Sequence, residues 1–144
     1  MNDTTTEAVA RRWHRDIYLR GELDVADEIC APDLVAHGTG VAPDAPTGPR
    51  YVREDAAGLR EAFDILAMTD DDVFAGRDRV ALRWTFRGTH VGEFLGVEGT
   101  GREVHLTGID IFRMEGEQIA EFWTEFNLMD LAAQIGAIPA EATA

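Results

Sequence analysis

No serine occurs anywhere in the 144 residues, which excludes a Gly-x-Ser-x-Gly nucleophile elbow. Cysteine is almost as scarce. Cys30 is the only one, so no intrachain disulfide can form, and a reducing, cytoplasmic setting is expected. Cys30 follows Ile29 in an expected short helix and reads as a buried, inert thiol. The four histidines are scattered without metal-ligand spacing, so no metal or cofactor is expected. No apolar run approaches the roughly 18 residues of a membrane span. The start Met1-Asn2-Asp3-Thr4 lacks the basic residues and apolar core of a signal peptide. Basic side chains are few: 13 against 27 acidic ones, for a net charge of −14. That field repels phosphate backbones and no basic stripe overrides it, so neither nucleic acid nor a membrane is an expected partner. Gly96, Gly99 and Gly101 do not open a helix after a strand, so they form no dinucleotide fingerprint. Asp70-Asp71-Asp72 lacks the alternating ligands and bidentate glutamate of a calcium loop, and reads as a solvated edge or bulge.

What is present is the pattern of one α+β domain spanning residues 1–144, with helices first and strands after. Thr4-x-x-Glu7 fits a capping box, Val9, Trp13 and Ile17 form an apolar stripe, and Gly21 stops the helix. A short second helix is predicted from Leu23 to Cys30, ended by Pro32, then a short strand over Leu34–His37. Gly38–Gly48 is a Gly/Pro-rich loop, and Pro49 opens a third helix running to about Phe63. Strands follow over Phe63–Phe74, Arg79–His90, Arg102–Met114 and Gln118–Asn127, read as antiparallel, with Glu115-Gly116-Glu117 as a hairpin turn. Leu128–Gln134 reads as a closing helix, and the tail after Pro139 as frayed.

Strand parity sorts the side chains by face. Leu82, Trp84, Phe86 and His90 share one face; Leu106, Gly108, Asp110 and Phe112 share the next; Phe122, Thr124 and Phe126 the third. Packed under the helices, these place Asp110 in an apolar interior, where a carboxyl suits either acid–base work or a structural hydrogen-bonding role. His37, beside the long loop, is the second candidate proton carrier. His90 reads equally as a ligand-shaping residue or a loop partner. His14, beside Arg15 and Asp16, reads as solvated, and His105 as outside the cavity. Ile109, Ile111 and Trp123 make the opposite face apolar as well, which predicts a homodimer through the outer sheet.

The stretch from Arg83 to Gly96, RWTFRGTHVGEFLG, with Thr100-Gly101-Arg102, Gly108-Ile109-Asp110-Ile111-Phe112-Arg113 and Gln118-Ile119 onward, resembles the SnoaL-like polyketide cyclases. The resemblance implies a nuclear transport factor two-like cone, with N-terminal helices packed on a strongly curved antiparallel sheet around a pocket. It also implies cofactor-free acid–base chemistry on a largely apolar polyketide-like molecule. It aligns the aspartate base of those cyclases with Thr124, and their assisting histidine with Phe112. A further family histidine becomes Phe122, and an aspartate becomes Asn127. A threonine hydroxyl cannot serve as a base near neutral pH without activation. Asp110 is then the leading catalytic residue and His37 the second. Trp84, Phe86, His90, Phe112, Phe122, Thr124, Phe126 and Asn127 are the expected substrate-binding residues. Glu125 faces away unless a bulge turns it. Three readings follow. One is a cyclase- or isomerase-type enzyme, with epoxide opening and cofactor-free hydroxylation as variants. The others are a non-catalytic binder using the same pocket, and an interaction domain with a filled core.

Overall fold

A computed structural model of the chain describes residues 2–139; the predicted fraying of the tail lies outside them. Helix α1 covers Asp3–Arg12. Its cap is Asn2 rather than Thr4: Asn2 Oδ1 accepts from the Thr5 amide at 2.8 Å and the Thr5 hydroxyl at 2.9 Å. An amide side chain at the helix entrance supplies the same satisfaction of a free backbone N–H as the expected capping box, two residues earlier. From Trp13 to Leu19 the helix widens into a π-helix. The Arg20 amide reaches back five residues to the Arg15 carbonyl at 3.1 Å. The wider turn brings Trp13, His14, Ile17 and Tyr18 to the interior together.

Helix α2, Val25–Ile29, is shorter than predicted, because the chain is already extended at Cys30. Strand β1 runs over Cys30–Gly38 and absorbs Pro32, with a register shift between Cys30 and Val35. An edge strand tolerates a proline that a central one would not. Helix α3 spans Pro49–Ala62. Strands β2 (Phe63–Gly76), β3 (Arg79–His90), β4 (Glu103–Glu115) and β5 (Gln118–Phe126) follow, then α4 (Leu128–Gln134). The sheet order is β1-β5-β4-β3-β2. The four long strands pair antiparallel, as expected, and the short β1 joins β5 in parallel. The α3 connection between β1 and β2 lets β1 add to the far edge in the parallel sense.

The predicted parity holds along the three central strands. Val80, Leu82, Trp84, Phe86 and His90 are buried on β3, and Val104, Leu106, Asp110, Phe112 and Met114 on β4. The helices cover this face. Trp13 packs on Phe112 and Phe122 with ring centroids 5.0 and 4.8 Å apart. Losing such a buried aromatic costs about 3–5 kcal/mol. No described helix is long and apolar enough to cross a membrane.

Candidate active site

The curled sheet and the helices leave a cavity of about 450 Å³. Asp110 lies in its wall, on β4, directly opposite Leu82 on β3 and Thr124 on β5. Its carboxylate is 3% exposed, and Oδ2 stands 3.0 Å from His14 Nε2. The other nitrogen, Nδ1, lies 2.7 Å from Asp70 Oδ1. An imidazole that bonds two carboxylates through both nitrogens must carry two protons. Burial alone would push the ring's pKa down. The hydrogen bonds and charges of Asp110 and Asp70 outweigh that and raise it to about 9.

Two local irregularities build this row of three. The π-helix aims His14 inward. In β2, the register against β3 shifts twice. The shift between Ile65 and Ala67 puts Met68 and Asp70 on the inner face opposite Phe86 and Trp84, and the bulge between Asp70 and Asp72 leaves Asp71 and Asp72 outside against Thr85 and Arg83. The bulge reading of the triple aspartate therefore stands, but one of the three is buried rather than solvated.

Asp110 Oδ1 and Trp84 Nε1 are buried without hydrogen-bond partners. Both belong to pocket-lining residues, so one unsatisfied acceptor and one unsatisfied donor lie just beneath the cavity surface. Gly108 makes room for the Trp84 indole. A Cβ there would fall 2.3 Å from Trp84 Cζ2, so only glycine lets the indole lie across β4.

A second polar pair occupies the helical wall. Tyr18, buried on the π-helix, donates from its hydroxyl to Asp55 Oδ2 on α3 at 2.7 Å. Asp55 keeps solvent contact through the mouth, yet the walls crowd its carboxyl. That desolvation, with the charge of Asp110, raises its pKa against the opposing Tyr18 hydrogen bond. Burial likewise pushes Tyr18 well above the ordinary phenol value, and Tyr51 upward too.

Of the expected binding residues, Trp84, Phe86, Phe122, Thr124 and Phe126 line the cavity with Asp110. The others fall elsewhere. His37 is a correction: β1 sets it beside Trp123, whose parity faces outward. There its ring stacks on Trp123 at 5.3 Å and pairs with Glu121 at 2.6 Å. It is not part of the pocket. Phe112 is consumed in the core by Trp13. His90 is fully buried against Phe63 and held by Thr100, whose amide donates to Nδ1 at 3.2 Å. Asn127 caps α4, accepting from the Asp130 amide at 2.9 Å. Glu125 stays outside, where it accepts from the Thr39 hydroxyl. Cys30 is buried, and burial pushes its thiol up to about 12.

His14 is the largest correction, buried at the centre rather than solvated. With Tyr18, Asp55 and Asp70 it was missed as a site residue. A signal was present: His14 and Tyr18 sit four apart beside Trp13 and Ile17, a double stripe wider than an α-helix needs.

A helical lid on a curled sheet, closed around an apolar cavity with a buried carboxylate, defines the cone-shaped pocket proteins of the nuclear transport factor two-like class. Within that class the chain belongs to the SnoaL-like polyketide cyclase family, whose model matches residues 8–135. Among solved structures it is similar to TsrD from Streptomyces laurentii, at 25% identity and TM-score 0.84, covering 96% of this chain and 99% of that one. It is similar to AclR from Streptomyces galilaeus, a candidate hydroxylase, at 26% identity and TM-score 0.81, covering 96% and 85%. IdmH from Streptomyces antibioticus, a candidate polyketide cyclase, is 31% identical with TM-score 0.75, covering 92% and 98%. No curated protein shows a significant match.

Proposed function

We propose that the chain is a cofactor-independent acid–base enzyme acting on a largely apolar, polyketide-like small molecule, with Asp110 as the base. The observation that carries this is the asymmetry of Asp110. Oδ2 is held by His14, itself anchored by Asp70, while Oδ1 is buried in the pocket wall with no partner. A carboxylate gripped on one oxygen and free on the other is positioned for proton removal. In this reading Oδ1 takes a proton from a carbon beside a carbonyl, and the electron pair moves onto the carbonyl oxygen. The free Trp84 N–H and the Thr124 hydroxyl opposite Asp110 are the donors available to that oxygen. Thr124, where the family resemblance places an aspartate, thus supports the new base rather than replacing it. Its neutral hydroxyl also spares Asp110 a like charge directly across the strand pair.

The same first step serves ring closure, isomerisation or hydroxylation, and the similarity to AclR keeps cofactor-free hydroxylation as the second reading. A cytoplasmic setting, suited to a single buried thiol, belongs to the same proposal. The test is Asp110→Asn. Turnover of a polyketide-like substrate should fall by at least 10²-fold, the usual scale of a lost general base, with folding and ligand affinity retained. Unchanged turnover would overturn the role, and a pocket that binds without turnover in the native protein would make it a carrier.

A further inference from the structure

The Tyr18–Asp55 pair has no part in the proton step at Asp110, yet it faces the same cavity. Tyr18 is buried and spends its one hydroxyl proton on Asp55 Oδ2. Asp55 Oδ1 has no partner among the described residues. Around it the α3 face supplies Tyr51, Gly58 and Leu59 to the cavity wall. A Cβ at Gly58 would meet nothing within 4 Å, so the wall is open just there. The charge inventory also matters. Glu54, Asp55, Asp70 and Asp110 set four carboxylates within or directly behind the wall. Glu54 is paired with Arg50, which does not line the cavity, and the other three share the one His14 cation, with no arginine among the lining residues.

We propose that Asp55 and Tyr18 form a second polar subsite, near the mouth, that accepts a hydrogen bond from a substrate hydroxyl. The substrate class is then a neutral, hydroxylated, largely apolar ring system rather than a carboxylate. This rests on the reading of the cavity as a substrate pocket and deepens it. The hydroxyl binds Asp55 Oδ1 while Tyr18 fixes the carboxyl's orientation, and the rings lie between this point and Asp110. A ligand carboxylate meets uncompensated negative charge at both ends and is rejected.

Three probes test this by fluorescence titration: naphthalene, 2-naphthol and 2-naphthoate. The native protein should bind 2-naphthol about tenfold more tightly than naphthalene, the scale of one hydrogen bond to a charged acceptor. It should bind 2-naphthoate at least about tenfold more weakly than 2-naphthol. Asp55→Ala should erase the hydroxyl preference and recover naphthoate binding. Asp55→Asn, which keeps a partner for Tyr18 and guards against a folding failure, should also lose the preference. A preference that survives both variants overturns the subsite, as does one erased by Asp110→Asn but not by Asp55→Ala. Equal affinity for naphthol and naphthoate overturns the neutral-ligand assignment. Binding of naphthalene and naphthol with equal affinity sinks the subsite while the pocket stands. Failure of both to bind the native protein sinks the pocket reading and the subsite with it.

Discussion

Both ring nitrogens of His14 point at carboxylate oxygens, and a neutral imidazole has only one N–H to give. This fixes the sign of a stability effect. The folded imidazolium holds its proton to about pH 9 against an ordinary value of 6.5. Its stabilisation is therefore complete below pH 6.5 and is lost as pH rises through about 9. The size is on the order of 3 kcal/mol. Cys30 acts in the same direction at the upper end. Its buried thiol stays protonated to about 12 while the unfolded one ionises near 9.0, so the two must be separated. Asp70→Asn does so, since it removes one of the two anions that hold the His14 proton and leaves Cys30 untouched. Urea midpoints measured from pH 6 to 9.5 should fall for the native protein. They should fall less steeply for Asp70→Asn, which starts from a lower stability because a buried ion pair has lost a member. An identical slope in both proteins would mean that the ring is not shared between the two aspartates.

At the scale of elements, α3 is a wall of the cavity, and Gly58 is the weakest residue of its interior by helix propensity. Its φ is not left-handed and a Cβ would meet nothing within 4 Å. Gly58→Ala should thus stabilise the fold by about 0.5–1 kcal/mol, read as a higher urea midpoint with unchanged m-value. Elements were also where the sequence was most and least readable. Alternation along Arg79–His90 and Glu103–Glu115 is strict, so the burial of Asp110 and the direction of Trp84 followed from a period of two. Pro49 at the first turn marked α3 as plainly. His14 and Asp70 escaped because each sits at a local break in periodicity, a π-helix in one case and a β-bulge in the other. His14, four residues after buried Ala10, sits at the flank of the apolar stripe where charged Arg15 and Asp16 mask it, and an unbroken strand from Phe63 would turn Asp70 outward. His37 escaped differently. Its face depends on which edge β1 joins, and pairing with β5 is a long-range choice that leaves no mark in a nine-residue strand. The irregularities that hid the site residues are the same ones that aim them.

For the molecule as a whole, the outer sheet face is unlike the rest of the surface. Ile109 and Ile111 are 52% and 37% exposed, with Trp123 between His37 and the Arg79 guanidinium, which lies 4.9 Å over its ring. Around them Arg83 pairs with Asp72, Arg87 with Glu103 and Arg113 with Glu121. This face therefore carries both signs of charge on a chain whose net charge is −14. Two copies that meet here bring apolar side chains and paired charges together. We propose a second copy as the occupant of this face, in an isologous dimer. Because the remaining surface still repels its counterpart, added salt should screen that repulsion and tighten the dimer, opposite to the response of an interface driven by attraction between charges. Sedimentation at micromolar concentration should give a dimer whose dissociation constant falls between 50 and about 500 mM salt. Ile109→Glu should give a folded monomer, because it sets a carboxylate against its symmetry mate on the patch. A native monomer throughout, or a dimer indifferent to Ile109→Glu, would mean that the apolar face is not where two copies meet.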